Sequence, residues 1–154
     1  MTILGIDPGT TRVGYGVIKS RPKIEFIASG VMGAPRANSF SRLTAIERGV
    51  NRLLKKYRPD VAAVEKLYFS KNRKTAISVA EARGVILVTL HKNGVRIREF
   101  SPSEIKSVVT GSGNSDKKAV QKIVALSLHL RNPERRDDAA DALAIALRAA
   151  FDRG

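Results

Sequence analysis

The fold is decided by a stretch near the amino terminus, which reads Ile3-Leu4-Gly5-Ile6-Asp7-Pro8-Gly9-Thr10-Thr11-Arg12-Val13-Gly14-Tyr15-Gly16-Val17-Ile18. Residues 3–6 form an apolar run that is typical of a central strand covered on both faces. Asp7 follows at the end of this strand, and Pro8 and Gly9 predict a tight turn, because proline fixes φ and glycine tolerates positive φ. Apolar residues alternate with glycine over 13–17, which predicts a second strand. The stretch therefore holds a carboxylate at a strand end, where it serves either a metal or phosphate site or only the turn.

The composition indicates one globular domain spanning 1–154. The chain has 154 residues, of which 43% are hydrophobic, so it is long and apolar enough to bury a core. It has no cysteine, which excludes disulfides and thiolate metal sites. The sequence contains neither a signal-peptide pattern nor an apolar run long enough to cross a bilayer. We therefore expect a cytoplasmic protein.

The net charge is strongly positive. Twenty-eight Lys and Arg residues stand against 14 Asp and Glu residues, a formal charge of +14. Such an excess in a small domain is typical of proteins that bind a polyanion, and nucleic acid is the first candidate.

Turn and periodicity signals divide the chain into the order βββ-α-β-α-β-α-α-α, which predicts an α/β domain with a mixed sheet whose first three strands form an antiparallel meander. Either Ser39 or Ser41 is predicted to cap the first helix. The predicted strands after the hairpin are 23–32, 61–65 and 95–100, and the predicted helices are 39–58, one that ends near 92, 103–110, 116–130 and 137–151.

Five acidic residues stand at the ends of predicted core elements. Asp7 ends the first strand, Glu65 ends the fourth, and Asp137, Asp138 and Asp141 lie in the first turns of a last helix that is otherwise small or apolar. Asp141 shares a helix face with both Asp137 and Asp138, so spacing does not choose between these two. Each acid alone has a structural interpretation, such as interaction with the helix dipole.

Taken together, these acids predict one site. Clustered carboxylates repel one another, and a divalent cation compensates that repulsion. Ligands that are all oxygen favour Mg²⁺ or Mn²⁺. In a strongly basic domain, such a site indicates two-metal hydrolysis of phosphodiesters.

The whole chain resembles the RuvC family of bacterial Holliday-junction resolvases, within the ribonuclease H-like superfamily. The resemblance is carried by residues 5–9, 14–16, 64–65, 82–85 and 138–146, and by Lys106 and Lys117. It implies a ribonuclease H-like fold, in which a five-stranded mixed sheet has strands 1–3 antiparallel and strands 4–5 parallel to strand 1, flanked by helices.

The resemblance also implies the site residues. The catalytic and metal-binding carboxylates of the family fall on Asp7, Glu65, Asp138 and Asp141, which selects Asp138 over Asp137. It implies Mg²⁺ as cofactor, with two ions in each active site and Mn²⁺ as a substitute, and products with 5′-phosphate ends.

Further residues are implied to contact DNA. An aromatic side chain stacks on an unpaired base in this family, and here the position is Tyr68, with Phe69 able to share the role. Lys106 and Lys117 match lysines that approach the scissile phosphate, although from the residues alone both read as solvated helix charges. More generic phosphate contacts are expected from Arg73, Lys74, Lys118 and the stretch 131–136.

The implied partners are a four-way DNA junction, a second copy of the chain, and the branch-migration proteins RuvA and RuvB, in homologous recombination and DNA repair. In the homodimer, the small residues Ala76, Ala80 and Gly84 would lie at the seam between subunits, or they could equally pack on the sheet.

Three other functions fit parts of the sequence. Residues 7–11 also resemble the phosphate hairpin of the actin and sugar-kinase superfamily, but 154 residues are too few for the two domains of such enzymes. A non-catalytic DNA-binding module explains the charge and leaves the acids unexplained. A ribonuclease acting on RNA–DNA hybrids would have to sense 2′-hydroxyls, and the sequence does not address this.

Overall fold

A five-stranded sheet forms the centre of the computed structural model, which describes residues 1–33, 38–67, 73–111, 116–130, 134 and 136–152. The strands are β1 (Thr2–Asp7), β2 (Arg12–Lys19), β3 (Glu25–Gly33), β4 (Val61–Glu65) and β5 (Arg96–Phe100). Their order in the sheet is β3-β2-β1-β4-β5. β1 pairs antiparallel with β2 and parallel with β4, while β2–β3 is antiparallel and β4–β5 parallel. The predicted ribonuclease H-like sheet is confirmed.

In the described part of the chain, five helices flank the sheet in the predicted order. They are α1 (Ser39–Tyr57), α2 (Arg73–Lys92), α3 (Pro102–Thr110), α4 (Lys117–Ser127) and α5 (Asp137–Phe151). The predicted cap of α1 was wrong, since Asn38 caps this helix and its side-chain oxygen accepts a hydrogen bond from the Ser41 N–H at 2.9 Å. α3 starts with a capping box between Ser101 and Glu104.

The two faces of the sheet bury separate cores. Leu4 and Ile6 of β1 pack with the aliphatic side chains of α1 and α2 on one face. Ile3 packs on the other face, against α5 and the apolar sides of α3 and α4. Because side chains alternate along a strand, this arrangement fixes the direction in which every residue of β1 points. Nine of the 15 residues of α5 are buried, which confirms its predicted place in the interior.

The turn after β1 needs glycine for a different reason from the predicted one. Gly9 does not have a positive φ, in contrast to Gly94 and Gly111. A Cβ atom on Gly9 would instead lie 2.0 Å from the carbonyl oxygen of Arg12. The turn is therefore closed by the close approach of two backbone segments.

Among the described residues, no helix is long and apolar enough to span a membrane.

Candidate active site

Asp7 and Glu65 lie at the carboxyl ends of adjacent parallel strands. Ile6 of β1 is in register with Val64 of β4, so the two acids follow at neighbouring positions. Ile3 and Ala63 belong to the core under α5. Because side chains two residues apart point to the same face, Asp7 and Glu65 also point toward the α5 side.

α5 lies directly on the sheet at this position. Gly14 is the register partner of Asp7, and a Cβ atom on Gly14 would lie 1.9 Å from the carbonyl oxygen of Asp138. A Cβ atom on Gly5 would lie 2.1 Å from the carbonyl oxygen of Ala142. The missing side chains let the helix backbone reach the strands, and this brings Asp138 and Asp141 to the sheet edge that carries Asp7.

The carboxylates interact electrostatically. The pKa of Asp7 is raised from 3.8 to about 8, first by burial and then by the negative charges of Glu65, Asp141 and Asp138, against a lowering by Lys117. Burial, followed by the charge of Asp141, raises the pKa of Glu65 to about 7, against a lowering by Lys106. Burial also raises the pKa of Asp141, which the hydrogen bond from Lys117 opposes. Glu65, Asp141 and Asp138 thus each disfavour the ionisation of Asp7, so the four acids form one group.

Two cationic side chains partly compensate this charge. The Nζ atom of Lys117 lies 3.0 Å from Oδ2 of Asp141 and 3.5 Å from Oδ2 of Asp137. The Nε atom of Arg12 lies 3.3 Å from Oδ2 of Asp138. The acids of α5 are therefore covered by an ammonium group and a guanidinium group.

A small cavity adjoins the acids. It has a volume of about 190 Å³, and its polar walls are Glu65, Lys106, Lys117 and Asp141. Its apolar walls include Ile105 and Val120, from α3 and α4. Lys106 and Lys117, which the family resemblance placed near the scissile phosphate, therefore line the same space as two of the predicted acids.

The fit of the site to a divalent cation rests on the chemistry of its donors. Within the described part of the chain, no three His, Cys, Asp or Glu side chains converge closely enough to form a preassembled metal cage. Asp138 and Asp141 contact Arg12 and Lys117 instead. The donors are nevertheless carboxylates, and neighbouring negative charges disfavour the ionisation of Asp7 and Glu65, a situation that a hard cation relieves.

Comparison with known proteins shows the family of the chain. The profile of the family described as crossover junction endodeoxyribonuclease RuvC matches residues 3–149. The chain belongs to the RuvC family of crossover junction endodeoxyribonucleases. It is 50% identical over 148 residues to the crossover junction endodeoxyribonuclease RuvC of Thermosipho melanesiensis, which covers 95% of this chain and 94% of that protein.

Two solved structures of RuvC from Thermus thermophilus match the fold closely. One has a TM-score of 0.91 at 32% identity and covers 99% of this chain and 96% of that one. The other, a complex with a Holliday junction substrate, has a TM-score of 0.90 at 34% identity and covers 98% and 93% of the two chains. The family and the fold predicted from the sequence are confirmed.

The remaining predicted residues of this RuvC-family chain fall into two groups. Lys118 is exposed in the first turn of α4, outside the cavity lining. Tyr68 and Phe69 lie outside the described residues, as do the side chains of Arg73 and Lys74 at the start of α2 and most of the stretch 131–136. Their predicted contacts with DNA stay predictions.

The structure separates Asp137 from Asp138, which spacing alone did not. The side chain of Asp137 is 67% exposed, and it accepts a hydrogen bond from Gln121 at 3.1 Å. Asp138 is 31% exposed and contributes to the raised pKa of Asp7. Asp138 is therefore the more enclosed of the two, and its catalytic role stays a prediction.

The sequence interpretation missed Arg12. This residue is at the start of β2, two residues before Gly14, so its place beside Asp138 follows once β1 and β2 are paired and α5 is laid on Gly14. The available signal was its position at the same sheet edge as Asp7.

Proposed function

We propose that this RuvC-family protein resolves four-way DNA junctions by divalent-cation-dependent phosphodiester hydrolysis at Asp7, Glu65, Asp138 and Asp141. The observation that carries the proposal is the burial of Asp7 beside Glu65, Asp141 and Asp138, which together raise the pKa of Asp7 to about 8. A group of buried carboxylates is costly to a fold, and an oxygen-liganded cation offsets that cost. The substrate agrees with the Thermus thermophilus relative, whose structure contains a Holliday junction.

The four carboxylates are the proposed ligands. Their all-oxygen chemistry favours Mg²⁺, with Mn²⁺ as a substitute, and four carboxylates suffice for two ions in each site. When bound, the cations supply an activated water and charge stabilisation for an in-line displacement that leaves 5′-phosphate and 3′-hydroxyl ends.

The lysines of the cavity are proposed to handle the substrate phosphate. Lys117 is bound to Asp141, and Lys106 is close enough to Glu65 to lower its pKa. With cations held by the acids, these ammonium groups would be available for the non-bridging oxygens of the scissile phosphate, where developing negative charge needs stabilisation. Arg73, Lys74 and Lys118 are proposed to bind phosphates further along the DNA arms, and Tyr68 or Phe69 to stack on a base.

A homodimer is proposed to act on the junction, so that each subunit makes one of two paired, symmetric nicks. An apolar surface on α1 and α2 supports this proposal. Phe40 is 82% exposed, and it lines a groove with Leu43, Gly84, Val85 and Val88. Of the predicted seam residues, Gly84 opens onto this groove, while Ala76 and Ala80 are partly buried.

This dimer contact can be tested with one substitution. Val88→Asp places a charge on the exposed part of the groove, and we expect it to reduce the sedimentation coefficient to that of a monomer. The matched control, Leu126→Asp, changes an exposed apolar residue on α4, away from the groove. Equal association of Val88→Asp and wild type would contradict a dimer through this face.

We further propose that residues 1–154 act as one nuclease domain in the cytoplasm, in recombination and DNA repair, together with RuvA and RuvB.

The decisive experiment is cleavage of a labelled synthetic four-way junction, beside a linear duplex and an RNA–DNA hybrid, with Mg²⁺ and with EDTA. We expect paired symmetric nicks in the junction alone, which EDTA abolishes. Cleavage of the hybrid instead would indicate a ribonuclease. Tight junction binding with no cleavage in Mg²⁺ or Mn²⁺ would leave a non-catalytic binding module.

A further inference from the structure

A buried arginine on α1 joins the turn that follows Asp7 to helix α2. The side chain of Arg42 is only 9% exposed. Its Nη1 atom donates to the carbonyl oxygen of Thr10 at 3.0 Å and to that of Ser78 at 3.2 Å. Its Nη2 atom lies 2.8 Å from Oε2 of Glu81. One guanidinium group therefore holds together α1, α2 and the turn between β1 and β2.

A second arginine makes the corresponding connection to β4. The side chain of Arg83, on α2, is 19% exposed. Its Nε atom donates to the carbonyl oxygen of Glu65 at 3.1 Å, and its Nη2 atom forms an ion pair with Glu99 of β5. The backbone of one proposed metal ligand is thus bonded directly to a side chain of α2.

The two arginines share a plan. Each is held by a partner carboxylate, each belongs to the helices on the α1–α2 side, and each donates to a backbone carbonyl of a segment that carries an acid of the site. Guanidinium groups have several donors in a rigid fork, so one side chain can bond a carboxylate and a carbonyl at the same time. Charge-assisted hydrogen bonds of this kind restrain a backbone more strongly than neutral ones.

We propose that Arg42 and Arg83 are positioning residues, which fasten α2 to the turn that follows Asp7 and to the end of β4 at Glu65, and so fix the separation of these two carboxylates. The proposal rests on the function proposed above. Neither guanidinium is on the α5 side, where the carboxylates point, so their effect passes through the backbone. Residues that orient metal ligands from outside the ligand shell typically contribute about 10- to 100-fold to metal affinity or activity.

The test compares three methionine variants, which keep much of the aliphatic stem of the side chain. Arg42→Met and Arg83→Met remove the proposed connections. The matched control is Arg98→Met, because Arg98 is 21% exposed and its side chain bonds Asp152, which follows the last turn of α5. Four quantities are measured for each: the single-turnover rate of junction cleavage, Mn²⁺ affinity without DNA by electron paramagnetic resonance, junction affinity in EDTA, and the melting temperature.

We expect Arg42→Met and Arg83→Met to lower the cleavage rate and to weaken Mn²⁺ binding, each by about 10- to 100-fold. Junction affinity in EDTA should be unchanged, because the DNA-binding surface is intact. Arg98→Met should keep wild-type values of cleavage and Mn²⁺ affinity even if it melts at a lower temperature.

Loss of folding is controlled by two further variants. Arg83→Lys keeps a positive charge beside Glu99 but lacks the fork that also reaches the Glu65 carbonyl, so we expect it to fold and to remain impaired. Arg83→Met combined with Glu99→Gln removes the carboxylate that would otherwise be left unpaired, and we expect the same defect.

Folded Arg83 variants with wild-type cleavage and Mn²⁺ affinity would overturn the proposal, as would an equal defect in Arg98→Met. A wild-type protein that binds Mn²⁺ but does not cleave junctions would contradict the proposed function instead, while the Mn²⁺ affinities would still decide whether the arginines position the acids.

Discussion

The two faces of the sheet position the site in opposite ways. On the α5 face, side chains are missing, and Gly5 and Gly14 let a helix backbone approach the strands directly. On the α1–α2 face, side chains make the contacts. Aliphatic residues fill the core, and Arg42 and Arg83 bond the turn after β1 and the end of β4. The first face places Asp138 and Asp141, and the second holds the turn after Asp7 and the backbone of Glu65. The cluster of like charges is therefore positioned by backbone contact on the α5 side and by charged hydrogen bonds on the α1–α2 side.

The largest expected effect comes from Asp7, whose side chain points toward α5 and whose following turn is bonded by Arg42. We expect Asp7→Asn to abolish junction cleavage while junction binding persists, because the amide cannot replace the charge of a carboxylate ligand. Single-turnover cleavage in Mg²⁺ and a binding assay in EDTA measure the two properties. A normal cleavage rate in this variant would show that the acids have been assigned wrongly.

The contact of the α5 face can be broken by one methyl group. In Gly14→Ala the new Cβ atom would lie 1.9 Å from the Asp138 carbonyl oxygen, so the start of α5 must move away from Asp7. We expect cleavage to fall by about 100-fold, as is typical when a catalytic group shifts by about 1 Å, and the melting temperature to fall as well.

The matched control for this substitution is Gly33→Ala, because a Cβ atom on Gly33 meets nothing within 4 Å. It should cleave junctions at the wild-type rate. If Gly14→Ala and Gly33→Ala behave alike, the close approach of α5 to the sheet does not set the position of Asp138.

Lys117, the first residue of α4, is a cation on the α5 side of the sheet that contacts Asp141 directly. We expect Lys117→Met to lower cleavage by about 10- to 100-fold, through loss of a charge near the substrate phosphate. The same variant should bind Mn²⁺ more tightly without DNA, because Asp141 loses its ammonium partner. Lys122→Met, at an exposed position of α4, is the control. Weaker Mn²⁺ binding in Lys117→Met would mean that the lysine orders the acids instead of competing with the cation.

The smallest expected effect is on stability. The pKa of Asp7 is raised to about 8 in the folded chain, from 3.8 when the carboxyl is unperturbed. Between these values the folded chain binds more protons than the unfolded chain, so raising the pH lowers the free energy of unfolding of the metal-free protein. We therefore expect Asp7→Asn to melt above wild type in EDTA at pH 8, by about 3 °C or more. The difference should shrink as the pH falls toward 4, and differential scanning calorimetry across this range measures it. A difference that does not change with pH would contradict the raised pKa.

Much of this architecture could be predicted from the sequence, because it depends on local patterns of apolar and small residues. The apolar run 3–6, the alternation at 13–17 and the small residues of the last helix determined the strand pairing and the burial of α5. The four acids could be recognised because they lie at the ends of predicted strands or in the first turns of a predicted helix. Choosing Asp138 over Asp137 required the family resemblance, because two adjacent helix positions differ only in which of them faces the sheet.

The rest depends on contacts between residues far apart in the sequence. The bonds of Arg42 to Thr10 and of Arg83 to Glu65 span 32 and 18 residues, and a periodic pattern does not encode them. The same holds for Arg12 beside Asp138. For Gly9 the residue was correctly chosen for a turn, but its steric reason is the carbonyl of Arg12, which only the closed turn brings near.

The direct seating of α5 on glycine also bears on how this enzyme could be engineered. Side chains normally absorb small changes in a core by switching rotamers, but at Gly5 and Gly14 the sheet has no side chain that could switch. Stabilising substitutions in the aliphatic layer under α1, away from Arg42, should therefore raise the melting temperature without changing the rate of junction cleavage. Substitutions along the seat of α5 should alter both properties at once. A thermostable variant is better sought in the aliphatic layer under α1, and a variant with altered cation preference among the residues on which α5 packs.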